Sequence, residues 1–346
     1  MSKRPKLAYH QRTTANKTSS SDVVVFEYTG RGRDHVPNNV THVRIHPSIT
    51  KIEDWSFYDR RRLKEVVLNE GLTVICSYAF SNCSSLPNIT LPFTVIEIDQ
   101  DAFNSCTNLR EVVLNEGLQK IENSAFIYCT SLASITLPST VIEIGKRVFD
   151  GCGSLREVLL NEGIKKVKEH AFQNCRSLQC ITLPSTISKI DDFAFIGCNN
   201  LREVVLHNEE VHIDDQAFYN CTSLESFKFP NLSTRLDNII QAGQRDIDAK
   251  MDDISAIEWR SGELIIPSVR REIEEPWGME IIAEIDYEKL YKIVRLIRYY
   301  EIKEATTLFE LAVWKAQIDI SNPTNREACR VDIPGPVKDT ILQYIG

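Results

Sequence analysis

The 346-residue sequence has no C-x-x-C pair, no run of 18 apolar residues, and no apolar core of seven or more residues within its first 22 positions. The first absence removes paired-thiolate zinc sites. The second excludes a membrane-spanning helix by apolar length, and the third excludes a secretory leader of the usual design. The expectation from these three is an intracellular chain, cytoplasmic, or nuclear if Lys3-Arg4-Pro5-Lys6 is read as an import patch. No Walker loop, G-x-S-x-G or H-E-x-x-H occurs, and Thr29-Gly30-Arg31-Gly32 has too few glycines to cradle a phosphate. Of the seven histidines only His42 and His46 lie near one another, without a carboxylate beside them, so no metal site is expected.

Cations are also scarce where they would matter. Lys and Arg number 40 against 48 Asp and Glu, a net charge of −8, and the only basic excess lies in residues 1–22, where Lys3, Arg4, Lys6, Arg12 and Lys17 face Asp22 alone. A nucleic-acid footprint needs clustered Lys and Arg to neutralise phosphates, so nucleic acid is not an expected partner.

What the chain does have is one sentence written eight times. Phe57, Phe80, Phe103, Phe126, Phe149, Phe172, Phe195 and Phe218 are each 23 residues apart without an insertion. Three positions after Phe comes a Cys column, Cys83 to Cys221, with Arg60 in its place in the first unit, and six after comes Leu in every unit. Nine and eleven after come pairs such as Val112/Leu114 and Ile135/Leu137, whose period of two puts both side chains on one side of a short strand. A further pair, such as Leu118/Ile121 and Val141/Ile144, completes about six large apolar groups per unit. Burying six is worth roughly 10–15 kcal/mol gross, whereas ordering 23 residues costs on the order of 1–2 kcal/mol for each backbone residue. One unit cannot fold alone; stacked coils that cover each other's apolar edges can.

The pattern in Cys129-x-x-Leu132-x-x-Ile135-x-Leu137-Pro138-x-x-Val141-x-x-Ile144, followed by Phe149, resembles the BspA-type leucine-rich repeat. That resemblance implies a curved solenoid with a parallel β-sheet, used for recognition and adhesion and without a known catalytic centre. A super-period of 46 residues overlies the 23: odd units read L-x-E-V-V-L-N-E-G (L-R-E-V-L-L-N-E-G at Leu155), even units L-x-x-I-T-L-P-x-T.

The expected fold class is therefore an α/β repeat: a leucine-rich-repeat solenoid at 57–230, a disordered basic tail at 1–22, a β-hairpin cap at 23–56, and a mainly helical C-terminal domain at 231–346. Within 231–346, Gly262 to Pro267 reads as a strand, Thr307 and Glu310 as a capping box, and Asp286 to Ile318 as one or two helices. The ten cysteines are expected as buried free thiols, because stacked coils keep successive β-carbons near 5 Å rather than the roughly 3.8 Å of a bridge. Cys180, on an outward strand position, is the exception.

The candidate binding surface is the outward side of the main strands. It comprises Lys64, Glu65, Val67, Thr90, Arg110, Glu111, Val113, Thr136, Arg156, Glu157, Leu159, Thr182, Arg202, Glu203 and Val205. Cation and acid neighbours in alternate coils are expected to pair along its edge. The function expected from this surface is a non-enzymatic, protein-binding scaffold without a cofactor. The alternatives are a surface adhesin of BspA type and an enzyme whose site lies in 231–346.

Overall fold

The structure is a computed structural model, and it describes residues 23–30, 35–241, 258–260, 263–275 and 278–284, together with seven positions between 290 and 301. The repeats stack as eight turns of a parallel-strand solenoid. Their main strands are three to four residues long, from Glu65–Val67 through Glu111–Val113 and Glu157–Leu159 to Ser226–Lys228. The inward residue of each strand is a β-branched or aromatic group; Ile89, Ile135, Val204 and Phe227 are buried, and Val66 in the first strand is half-buried. The outward neighbours face solvent because side chains alternate along a strand.

A second parallel ladder runs along the opposite side of each coil. Its strands are only two residues long: Lys51–Ile52, Val74–Ile75, Glu97–Ile98, Lys120–Ile121, Glu143–Ile144, Lys166–Val167, Lys189–Ile190 and His212–Ile213. The sequence pattern supplied the buried Ile or Val of the six pairs from Val74–Ile75 to Lys189–Ile190 but not the sheet.

A third ladder of backbone hydrogen bonds passes through the phenylalanines. The Phe103 N–H donates to Ala125 O at 2.8 Å, and Phe126 N–H to Val148 O at 3.0 Å. The rings stack in register between these bonds, with centroids 5.0–5.9 Å apart from Phe57 to Phe218 and planes within 19° of parallel. To turn so sharply, the chain takes left-handed φ two residues either side of the Phe, as at Ser124 (58°) and Tyr128 (58°). Gly151 (74°) and Gly197 (70°) fill the later position in two coils.

The cysteine column has a role beyond filling space. Each thiol donates to the carbonyl of the Phe in the preceding coil, from Cys83 Sγ to Phe57 O (3.2 Å) to Cys221 Sγ to Phe195 O (3.1 Å). All nine described cysteines are free, and Cys180 is exposed. Burial pushes the Cys106 thiol up to about 12 and that of Cys129 well upward too. In a thiol titration of native protein at pH 8, Cys180 is expected to react first and the seven-residue column only on unfolding. Fast modification of several column thiols would contradict this packing.

Two expectations about the ends need correcting. The front is not a hairpin: Val25–Tyr28 pairs parallel with His42–Ile45, Val25 opposite His42, so the cap extends the solenoid's own ladder. Its anchor is Tyr28, wholly buried, whose ring packs on Phe57 with centroids at 5.1 Å and whose hydroxyl meets Ser56 Oγ at 2.8 Å.

The described part of the C-terminal region is not mainly helical. One helix, α1 (Pro230–Gln241), follows the last repeat. Four strands then form Glu258–Arg260, Glu263–Pro267, Val269–Glu275 and Gly278–Glu284. The strand expected within 262–267 is present, and it closes the main sheet by pairing antiparallel with Ser226–Lys228. Leu290, Ile293 and Ile297, three to four apart and helical, are buried against the same core. Arg235 ties this end together, reaching Glu301 through two bonds of 2.8 Å and also pairing with Glu209. The capping box at Thr307 and Glu310 and most of the expected 286–318 helices lie outside the described residues.

The super-period has a structural cause. In odd coils the Asn of N-E-G reaches back to the even coil before it: Asn69 Nδ2 donates to His46 O (2.8 Å) and Ile49 O (2.9 Å), and Asn161 Nδ2 to Pro138 O (2.5 Å) and Val141 O (3.0 Å). The glycine two residues later lets the backbones close up, since a β-carbon on Gly117 would lie 2.2 Å from Phe93 O. Even coils carry proline and serine or threonine at this turn and hold the odd coil before them differently. Ser139 donates N–H and Oγ–H to Glu116, and Thr140 Oγ to Leu118 O. The main sheet records the difference in its first three pairs of coils: strands pair fully from even coil to odd, but from odd to even the pairing is absent at two junctions and reduced to Leu159↔Thr182 at a third, returning in full only at the last, Glu203–Leu206 with Ser226–Lys228.

Candidate functional site

The outward positions of the main strands form two columns. One runs Glu65, Asn88, Glu111, Ser134, Glu157, Cys180, Glu203; the other runs Val67, Thr90, Val113, Thr136, Leu159, Thr182, Val205. All are exposed except Glu203 and Val205, which are half-buried at the C-terminal end. Val67, Val113 and Leu159 are 44%, 37% and 51% accessible, so an interrupted apolar stripe lies open to water. Lys64, Arg110, Arg156 and Arg202 stand exposed one position before the strands.

The expected pairing of Arg110 with Glu111, and of its counterparts, does not form. Adjacent residues on a strand project to opposite sides, so the partner that fits is one coil away. Glu203 meets Lys228 at 2.9 Å, and Glu65 lies 3.5 Å from His42 Nε2. Among the described residues Lys64, Arg110, Glu111, Arg156, Glu157 and Arg202 make no ion pair. The second sheet differs: Lys120 pairs with Glu97 (3.2 Å) and Glu122, Lys168 with Glu143, and Lys189 with Asp191 (2.9 Å) and Asp214 (2.8 Å). Hydrogen bonds to these carboxylates raise the Lys120 and Lys189 amines. The second sheet thus pairs more of its charges than the main face does, with Lys51 and Lys166 its unpaired lysines among the described residues.

At the N-terminal end this face opens into a cleft of about 730 Å³, bordered by Lys64, Val67, Glu70, Thr90, Phe93 and Asn115. It lies at the first odd-to-even junction. The sequence pattern flagged Lys64, Val67 and Thr90 but not Glu70 or Phe93; the available signal was that Phe93, 67% accessible, stands where sister coils have Ser139 and Ser185.

Among the described residues no three His, Cys, Asp or Glu side chains are grouped to hold a metal ion, and no helix is long and apolar enough to cross a membrane. One buried polar cluster does stand out away from the face. Asp150 is 1% accessible and neither carboxylate oxygen has a hydrogen bond; His170 Nδ1 and Gln173 Oε1 are likewise without one. Arg147, at 3.9 Å, is its nearest cation. Burial raises the Asp150 carboxyl from its ordinary value, against the opposing pull of Arg147 and His170. A folded-state pKa above the unfolded one favours the fold at low pH, and that contribution is lost as pH rises through the folded value. Asp150→Asn is therefore expected to gain about 1–3 kcal/mol over wild type above that window and little below it. Urea unfolding at both pH values checks this.

The model of the BspA type leucine rich repeat region matches residues 36–149 and 119–244 in six copies, together more than half of the chain. The chain belongs to the BspA type leucine rich repeat family. Solved relatives of this BspA-type chain include a Treponema (T. pallidum) leucine rich repeat protein, 30% identical over 60% of this chain and 85% of that one, with a TM-score of 0.44. A leucine rich cell surface protein from Faecalibacterium prausnitzii is 27% identical over 55% of this chain and 60% of that one (TM-score 0.39). A Bacteroides ovatus leucine-rich repeat protein is 23% identical over 55% of both chains (TM-score 0.47). The BspA-type chain thus spans only 60% and 55% of the latter two. No curated protein matches it significantly.

Proposed function

We propose that this BspA-type protein is a non-enzymatic scaffold that binds a protein through the open, concave face of its main sheet. The observation that carries this reading is the asymmetry of charge use. Among the described residues, Lys120 and Lys189 on the second sheet each meet two acids, and only Lys51 and Lys166 of its lysines are without one, while Arg110, Glu111, Arg156 and Glu157 all stay unpaired beside exposed Val113 and Leu159. Exposed apolar groups rimmed by free charges fit a contact surface, and a solenoid's concave face is where such contacts are made.

The test is affinity capture from the native cell with a triple variant, Arg110→Glu, Glu111→Lys and Val113→Asp. Partner retention is expected to fall at least tenfold. Melting should be nearly unchanged, because surface substitutions usually stay within about 0.5 kcal/mol. Undiminished capture would discard this face.

The surface-adhesin reading draws support from the description of the F. prausnitzii relative as a cell surface protein. The alternative placement is intracellular. Accessibility of the protein to a membrane-impermeant biotin reagent on intact cells decides between them.

A further inference from the structure

We infer that the cleft at the first odd-to-even junction is a socket for an arginine side chain carried by the protein partner. This rests on the scaffold reading above and narrows it to one place and one chemistry.

Three departures from the repeat converge there. First, Pro87 stands where other coils have a residue whose N–H bonds back to the preceding coil, as Arg110 N–H does to Pro87 O (2.8 Å) and Arg156 N–H to Ala133 O (2.9 Å). Proline has no such donor, so the bond from position 87 to Lys64 O cannot form. Strands Glu65–Val67 and Asn88–Thr90 have no pairing register, as Glu111–Val113 and Ser134–Thr136 have none, but at that second junction Ala133 N–H still reaches Arg110 O (3.4 Å), a bond the proline rules out here.

Second, Phe93 replaces the serine that in sister coils satisfies the glutamate of N-E-G. Glu116 accepts from Ser139 N–H (3.2 Å) and Oγ–H (2.7 Å), and Glu162 accepts from Ser185 in the same way. The corresponding acid here, Glu70, is exposed and has no hydrogen-bond partner among the described residues. Third, the Phe93 ring itself is turned to solvent, 67% accessible, at the cleft's rim.

An unpartnered carboxylate beside an exposed aromatic face and an apolar wall of Val67 is complementary to a guanidinium. The carboxylate accepts its forked N–H donors, the ring attracts the cation, and the three-carbon stem lies on the apolar wall. The other charges in the cleft are Glu65, Lys64 and His42, whose Nε2 is 3.5 Å from Glu65. Two carboxylates, Glu65 and Glu70, face the single ammonium of Lys64, which favours a cationic guest. Repeats with serine at position 93 would quench the acid and close the mouth, as Ser139 and Ser185 do.

The full chain labelled with 4-fluorophenylalanine reports on this directly, because the Phe93 fluorine signal is the one that disappears in Phe93→Ser. Acetyl-Leu-Arg-Leu-amide should shift that signal in a saturable way. The same peptide with citrulline should bind at least tenfold more weakly, Glu70→Gln should weaken the arginine peptide at least fivefold, and Glu116→Gln should leave it unchanged. No shift at Phe93, equal binding of the citrulline peptide, or indifference to Glu70→Gln would overturn the socket. A Phe93 shift that depends on protein concentration without peptide would also overturn it, by assigning the cleft to a second copy of the chain. Because the peptide experiment does not need the native partner, its failure is separable from failure of the scaffold reading, which the Arg110/Glu111/Val113 variant tests alone.

Discussion

Phe126→Ala is expected to lower the unfolding free energy by about 3–5 kcal/mol, the cost of truncating a fully enclosed aromatic side chain. Phe126 is wholly buried and sandwiched between Phe103 and Phe149, with centroids at 5.3 and 5.9 Å and planes within 8° of parallel. The neighbouring coils cannot collapse into the void. Their backbones are pinned on both sides by Phe103 N–H to Ala125 O and Phe126 N–H to Val148 O, and the Cys152 thiol bonds to Phe126 O itself. Gln119→Ala, at an exposed position seven residues earlier, is expected to stay within about 0.5 kcal/mol. Urea unfolding monitored by circular dichroism checks both; similar losses would mean that the inward and outward columns are misassigned. A repeat array also transmits the damage. Coils contact only their neighbours, so the transition should lose cooperativity as well as shift.

Much of this was legible in the sequence because the period never slips. A constant 23 fixes which residues stack, and the alternation in Glu111-Val112-Val113 fixes which of them face inward. The buried columns and the exposed Val67, Val113 and Leu159 therefore follow from spacing alone. Signals too short to carry a period were not legible. The two-residue strands of the second sheet, such as Lys120–Ile121, show only one buried residue each. The run from Val23 to Tyr28 followed by Thr29-Gly30-Arg31-Gly32 has the local chemistry of a hairpin, yet it pairs parallel with His42–Ile45. The cap must cover a parallel edge, and tertiary pairing outweighs turn propensity. The ion pairs were misread for a similar reason: neighbours in sequence on a strand are not neighbours in space, whereas residues 23 apart are. The cleft was hidden because Pro87 and Phe93 are unremarkable taken singly; each acquires meaning only against what the adjoining coil needs from that position. In 231–346 the 23-residue period is gone; local capping and spacing signals pointed mainly to helix with one strand at 262–267, and the described residues include that strand and three more.

Asn161→Ala is expected to cost about 2–4 kcal/mol, far more than a half-exposed turn residue normally would, because one amide side chain closes three bonds. Its Nδ2 donates to Pro138 O (2.5 Å) and Val141 O (3.0 Å), while its Oδ1 accepts from Gly163 N–H (2.5 Å). Deleting it leaves Val141 O and the Gly163 N–H without that partner and Pro138 O with the Val141 N–H alone (3.1 Å), in a turn where an added β-carbon on Gly163 would lie 3.0 Å from Val141 O. Asn161→Asp should not rescue, since a carboxylate would face two carbonyl oxygens without a proton to offer. By contrast, Thr140→Ala removes one bond, Oγ to Leu118 O at 2.6 Å, and is expected to cost about 1 kcal/mol. The two substitutions probe the two kinds of junction. If coils associate as even–odd pairs, amide exchange in Asn161→Ala should quicken across Ser134–Thr136 and Glu157–Leu159, the fully paired strands. In Thr140→Ala exchange in those strands should stay near that of wild type, since the junction it touches, Glu111–Val113 to Ser134–Thr136, has no strand pairing to lose. Equal costs and equal exchange patterns would show that the 46-residue rhythm is a record of duplication and has no energetic counterpart.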